Sequence, residues 1–140
     1  MEELYVYALL YIVGFEYWDE YSNKLNDLFL KDSENEELLN LEEVGNSKSA
    51  ILHILSLMDS AKINVKAFGT LLMDKIMEIY EQIELSLFAR RMYDLWGYLP
   101  ESLAYDEPYK TLSYADDALS WGDEKQCREL YEKAMKFYNN

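Results

Sequence analysis

Cysteine is nearly missing from this 140-residue chain. Cys127 stands alone, so no intrachain disulfide can form and nothing demands an oxidising compartment; the cytoplasm is the expected location. Proline and glycine are also scarce, at two and five residues, which leaves little to interrupt long helices. His53 is the only histidine. It lies inside an apolar helical stretch, Ala50 to Met58, and is expected at a helix edge or as a satisfied core residue, not as a catalytic base. Glycine-rich phosphate loops are missing, and so is the Glu-x-x-His pair that carboxylate-bridged metal bundles require. Glu78, Glu81 and Glu84 therefore read as a solvated helix face, and Asp116 with Asp117 as a charged patch whose side chains diverge. No catalytic residue, metal site or cofactor is expected, and the chain is not expected to be an enzyme.

Long hydrophobic runs are lacking as well. The most apolar stretch, Leu4 to Phe15, ends after 12 residues, well short of the ~20 needed to cross a bilayer as a helix. Glu2 and Glu3 occupy the place of a basic n-region and no small-residue cleavage site follows, so the stretch is expected to be a buried helix and not an export signal. Positive charge is scarce too: 13 Lys and Arg face 27 Asp and Glu, a net charge of -14. Such a balance repels nucleic acid and anionic lipid and attracts cationic partners. Neither direct nucleic-acid binding nor membrane association is expected.

Half of the residues are apolar, enough for one hydrophobic core. Apolar residues recur in steps of three and four almost throughout, which is the helical and not the strand period. The expectation is an all-α fold: one compact helical domain spanning 1–140, with about six to seven helices in antiparallel hairpins. The first helix is apolar nearly all round and belongs in the middle of the core. Gly14 permits a bend, after which Trp18, Tyr21, Leu25 and Leu28 form one stripe and Glu16, Glu20, Asn23 and Asp27 another that faces water or a partner. Ser33 and Glu36 form a capping box for a short acidic helix ending at Gly45. Asn46 or Ser47 caps the next, which ends near Asp59 or Ser60. After Asn64 comes the longest periodic segment, with Phe68, Leu72, Ile76, Ile79, Ile83 and Leu87 in register. Gly69 weakens it locally or allows close packing. The stretch Leu85 to Trp96 continues that helix or begins another, and Gly97 with Pro100 ends it. A polar connector follows, from Pro100 to Lys110. Asp123 and Gln126 form a second capping box, and Cys127, Leu130, Tyr131, Ala134, Phe137 and Tyr138 give the last helix its core stripe. Cys127 on that stripe reads as a small hydrophobe.

Small residues at Ala115, Gly122, Cys127 and Ala134, with Asp123 and Tyr131, give the C-terminal hairpin a spacing that resembles a tetratricopeptide unit. The resemblance spans Ala115 to Tyr138, without a second copy and without that repeat's tryptophan and proline positions. It implies a helical hairpin with solenoid-like packing at the C-terminus.

Charge is spread unevenly. The first 45 residues hold twelve acids against Lys24 and Lys31, while residues 46–100 balance six acids with six bases. Arg90-Arg91, the only adjacent basic pair, is expected to pair with Asp94 or with the acidic N-terminal helices. Asp32 to Glu43 reads equally as a solvated face anchored by Leu38, Leu39 and Leu41. The patch of Glu16, Tyr17, Asp19, Glu20, Tyr21 and Asp27 is different, because it interleaves aromatic rings with carboxylates. Tyr17 is expected to stand partly exposed, as a ring that fills a partner's pocket inside a rim of steering charge. These six residues are the expected partner-binding site.

In size, acidity and all-helical architecture the chain resembles the immunity proteins with which bacteria neutralise their own nuclease toxins, those of contact-dependent inhibition and of colicin nucleases included. Tyr17 and Tyr21 beside Glu16, Asp19 and Glu20 are similar to the acid and tyrosine pairs of the colicin type, at a different spacing that allows no residue-by-residue transfer. The resemblance implies a cognate basic toxin domain as partner and inhibition by occlusion, with carboxylates standing in for phosphates. A phage-type nucleic-acid mimic that inhibits a host nuclease, and a helical scaffold or adaptor that binds peptides, are the alternative readings.

Overall fold

The three-and-four periodicity resolves into helix at every point where it is strong. The computed structural model describes residues 1–44, 48–59 and 63–139, and among them there is no β-strand. Gly45, Asn46, Ser47 and Ser60, assigned to caps and helix ends above, lie outside the described residues. The chain divides into two compact units, Met1–Ile63 and Asn64–Asn140.

In the first unit, α1 (Glu2–Ile12) packs against α2 (Trp18–Lys31) and α4 (Lys48–Ser56), and α3 (Glu36–Val44) packs against α2 and α4. Leu4, Tyr5, Val6, Ala8, Leu9 and Leu10 are all buried, as expected of a helix apolar nearly all round. Each of these leucines and Val6 contributes ~1.5–3 kcal/mol by leaving water. α1 stops at Gly14, whose φ of 102° is open to glycine and strained for other residues. The N–H of Gly14 donates to the Tyr11 carbonyl and that of Phe15 to the Leu10 carbonyl, each at 3.0 Å, a Schellman closure of the helix end. α3 is capped by Asn35, not by Ser33: its side-chain oxygen accepts the Leu38 N–H at 3.3 Å, while its amide donates to Asp32 at the same distance. The asparagine sits immediately before the first helical residue, and the serine is two residues too early.

The second unit is built on α5 (Val65–Tyr80) and α9 (Glu124–Met135), which are in contact. Asn64 caps α5 by accepting the Ala67 N–H at 3.0 Å. The register read through Leu87 breaks after Tyr80, so α6 (Leu85–Gly97) is a separate helix that packs back on α5. Edge-to-face rings tie these elements together: Tyr80 against Phe88 at 5.1 Å, and Phe88 against Tyr131 at 4.9 Å. The expected connector Pro100 to Lys110 contains α7 (Glu101–Ala104) and the start of α8 (Tyr109–Tyr114). Leu103, Ala104 and Tyr109 bury themselves from within this polar composition. Trp96 pins the end of α7 by donating its indole N–H to the Ala104 carbonyl at 2.7 Å. With these two short helices the described residues hold nine α-helices, more than the six to seven expected.

Residues Ala115–Trp121 form a 3₁₀ turn, not the first α-helix of the expected hairpin, and pack against α9. Gly122, at φ 80°, closes it: its N–H donates to Leu119 and that of Asp123 to Ala118. Asp123 then caps α9 by accepting the Gln126 N–H at 2.9 Å. The reciprocal half of the expected capping box is pre-empted, because the Asp123 N–H already serves the Ala118 carbonyl. A last 3₁₀ turn, Phe137–Asn139, lies against α5.

Candidate partner-binding surface

Five residues, from Val13 to Tyr17, join α1 to α2. Because the Schellman closure turns the chain at Gly14, Phe15 and Glu16 are delivered beside the last turn of α1, and α2 begins with Trp18, Asp19 and Glu20. Both carboxylates of that first turn sit at the positive end of the helix dipole, a favourable place for them. Tyr17 stacks on Tyr7 of α1, with ring centroids 6.0 Å apart and planes 14° from parallel. The Trp18 ring centroid lies 5.5 Å from that of Tyr11 and 5.5 Å from that of Tyr21.

Glu16, Asp19, Glu20 and Asp27 are all exposed, and Tyr17 is half-buried. None of the four carboxylates has a lysine or arginine of its unit within 4.0 Å among the described residues. Lys24, the base nearest in sequence, instead reaches Glu3 at 3.6 Å. Asp27 lies two turns beyond Glu20, about 11 Å along the axis. Tyr21 differs from the other five: it is fully buried. Its position on the stripe shared with Leu25 carries it into the core, so it supports Trp18 from behind and offers a partner no surface.

The fold adds further residues to this patch. With Glu16 and Asp19, the residues Tyr11, Ile12, Gly14, Phe15, Trp18 and Lys48 line an open cleft of about 700 Å³. Lys48 begins α4 and arrives from 29 residues beyond Asp19; only the packing of α4 on α1 brings it there. Tyr11 was legible as part of an apolar helix, and nothing in its spacing marked it as a wall of a cleft.

The second unit carries a smaller depression of about 330 Å³ bordered by Ser86, Arg90, Tyr93, Asp94, Asp116 and Leu119. Arg90 and Arg91 do not pair with Asp94: among the described residues of the second unit, neither guanidinium lies within 4.0 Å of a carboxylate. Adjacent helical residues on one exposed turn point away from each other, and Asp94 is four residues from Arg90 without closing the contact. Burial raises the Asp116 carboxyl above the usual range, with Asp117 adding to the effect. Cys127 is fully buried, and burial pushes its thiol up to about 11. His53 stands exposed on α4. Among the described residues no group of three or more His, Cys, Asp or Glu could hold a metal ion, and no helix is long and apolar enough to cross a membrane.

No family model matches the chain, and no curated protein or solved structure matches it.

Proposed function

We propose that the protein is a non-catalytic acidic binding protein that neutralises a basic protein partner, as an immunity protein does when it occludes the active site of a cognate bacterial nuclease toxin. The observation that carries this reading is the display of Glu16, Asp19, Glu20 and Asp27, exposed and without a counter-ion among the described residues of their unit, beside the half-buried rings of Tyr17 and Trp18. Unpaired carboxylates keep their full field for a partner, and that field speeds encounter by roughly ten to a thousandfold over a neutral pair. Rings already held by Tyr7 and Tyr21 lose little freedom on docking, so they add to complex lifetime more than their area alone would.

The reading is tested by replacing Glu16, Asp19 and Glu20 with alanine and measuring association with a basic toxin domain encoded beside this chain. The triple variant should keep its helical circular dichroism and associate slowly at low salt. Unchanged association would remove this face from the interaction, and failure of the wild-type chain to bind or inhibit any neighbouring toxin would remove the function. A peptide-binding scaffold is the second reading, favoured by the depression of the second unit with Tyr93 exposed on its border. It implies solenoid-like packing of the C-terminal hairpin, with weak binding and little dependence on salt.

A further inference from the structure

The cleft beside Gly14 differs in chemistry from a merely acidic surface. Its walls are aromatic, from Tyr11, Phe15 and Trp18, and Glu16, Asp19 and Lys48 are the charged residues among its described lining. Two acids against one base leave one net negative charge in the cleft. An anion is disfavoured there and one cation is complemented. Trp18, half-buried on the wall of the cleft, touches Tyr11 and the buried Tyr21, with ring centroids 5.5 Å away in each case and tilts of 50° and 34°, so its ring orientation is restrained before any ligand arrives.

We infer that this cleft receives the guanidinium of one arginine side chain presented by the basic partner, a step that rests on the reading above. Arginine suits it better than lysine for two physical reasons. Its planar cation is weakly hydrated and stacks on an aromatic face, and its fork of N–H groups can serve two carboxylates at once. The cleft is open and its volume of about 700 Å³ is large enough to admit one arginine side chain. Lys48 is the group that limits affinity, because its charge opposes the incoming one. Tyr21 has a supporting part in this site: removing its ring would free Trp18 to turn.

The inference is tested on the full-length protein with a short blocked peptide, acetyl-Ala-Arg-Ala-amide, beside the same peptide carrying citrulline or lysine. Binding is followed through the indole N–H resonances, with Trp96 and Trp121 as internal references. The arginine peptide should shift the Trp18 resonance in a saturable way, with about tenfold weaker binding for citrulline, which keeps the shape and loses the charge. Asp19→Asn should weaken the arginine peptide and Lys48→Gln should strengthen it. An unmoved Trp18 resonance, or equal binding of arginine and citrulline, would overturn the inference; so would a lysine peptide as tight as the arginine one. If the toxin domain binds while the arginine peptide does not, the cleft assignment fails and the neutralising function stands. Saturable peptide binding without any toxin partner would leave the cleft and sink the function.

Discussion

The hydroxyl of Tyr109, in α8, lies 3.1 Å from that of Tyr138, in the last 3₁₀ turn, and the two close over Gly69 of α5. A Cβ at position 69 would overlap the Tyr138 ring and come within 2.6 Å of the Tyr109 hydroxyl. Glycine costs a helix interior ~1 kcal/mol relative to alanine, and here the missing side chain is what lets three elements meet. Gly69→Ala should therefore lower the melting temperature despite its better helix propensity, since overpacking of this kind costs ~1–3 kcal/mol. Hydrogen exchange should also quicken in residues 137–139, because Tyr138 is the side chain most able to move aside.

The same pair is asymmetric. Tyr109 is 1 % exposed, while Tyr138 is half-buried and can turn its hydroxyl to water. Tyr138→Phe strands a buried hydroxyl and should cost ~1–3 kcal/mol in urea unfolding, whereas Tyr109→Phe should cost less. The reverse order would show that the two hydroxyls do not depend on one another in this way.

Tyr131 is fully buried and its hydroxyl has no hydrogen-bond partner among the described residues. Tyr131→Phe removes a desolvated polar atom and keeps the ring against Phe88, so stability should rise, by about 1 kcal/mol. Denaturant unfolding that shows a loss instead would mean that a bound water satisfies this hydroxyl.

Cys127 should resist thiol reagents in the folded protein. Burial raises its pKa from 9.0 to about 11, which reduces the thiolate fraction at pH 8 by about a hundredfold before any steric exclusion is counted. The sign for stability follows from the same shift. Below pH 9 the thiol is protonated in both states, and between about 9 and 11 only the unfolded chain loses the proton, so stability falls as pH rises through that window. Burial raises Tyr109 and Tyr131 as well, in the same direction, and Cys127→Ser alone should leave part of the alkaline loss in place.

Association with a basic partner should depend steeply on ionic strength, because Glu16, Asp19, Glu20 and Asp27 are exposed and interact through solvent. Raising salt from ~10 mM to ~1 M shortens the screening length from ~30 Å to ~3 Å, and the association rate should fall with it while dissociation changes little. Stopped-flow mixing across that range checks this directly.

Helix type was legible wherever apolar residues kept a three-and-four rhythm, as from Phe68 to Ile79 and from Cys127 to Ala134. Glycine placement was legible too, since Gly14 and Gly122 both mark helix ends. What escaped were features decided by tertiary contact. Asp106 and Glu107 gave the connector a polar composition, yet Leu103 and Tyr109 on either side of them are buried, and α7 and α8 flank the pair. Tyr21 reads as a partner of Tyr17 by proximity in sequence, but Tyr17 sits at the non-helical N-cap, stacked on Tyr7, whereas Tyr21 falls one turn before Leu25 on the buried stripe of α2. In the candidate site, the carboxylates were readable from composition, and the cleft was not, because Lys48 joins it only through the packing of α4 on α1.

The link from Val13 to Tyr17 has few spare hydrogen-bonding groups: the Val13, Gly14, Phe15 and Tyr17 N–H groups donate to the carbonyls of Leu9, Tyr11, Leu10 and Phe15. Its length is thereby as constrained as that of a tight hairpin. Adding one amino acid there would rotate α2 by ~100° about its axis, carrying Tyr21 out of the core and Asp19 away from Lys48. Single substitutions can change the charges of this face without altering the fold, whereas a change of length in this link displaces the whole of α2.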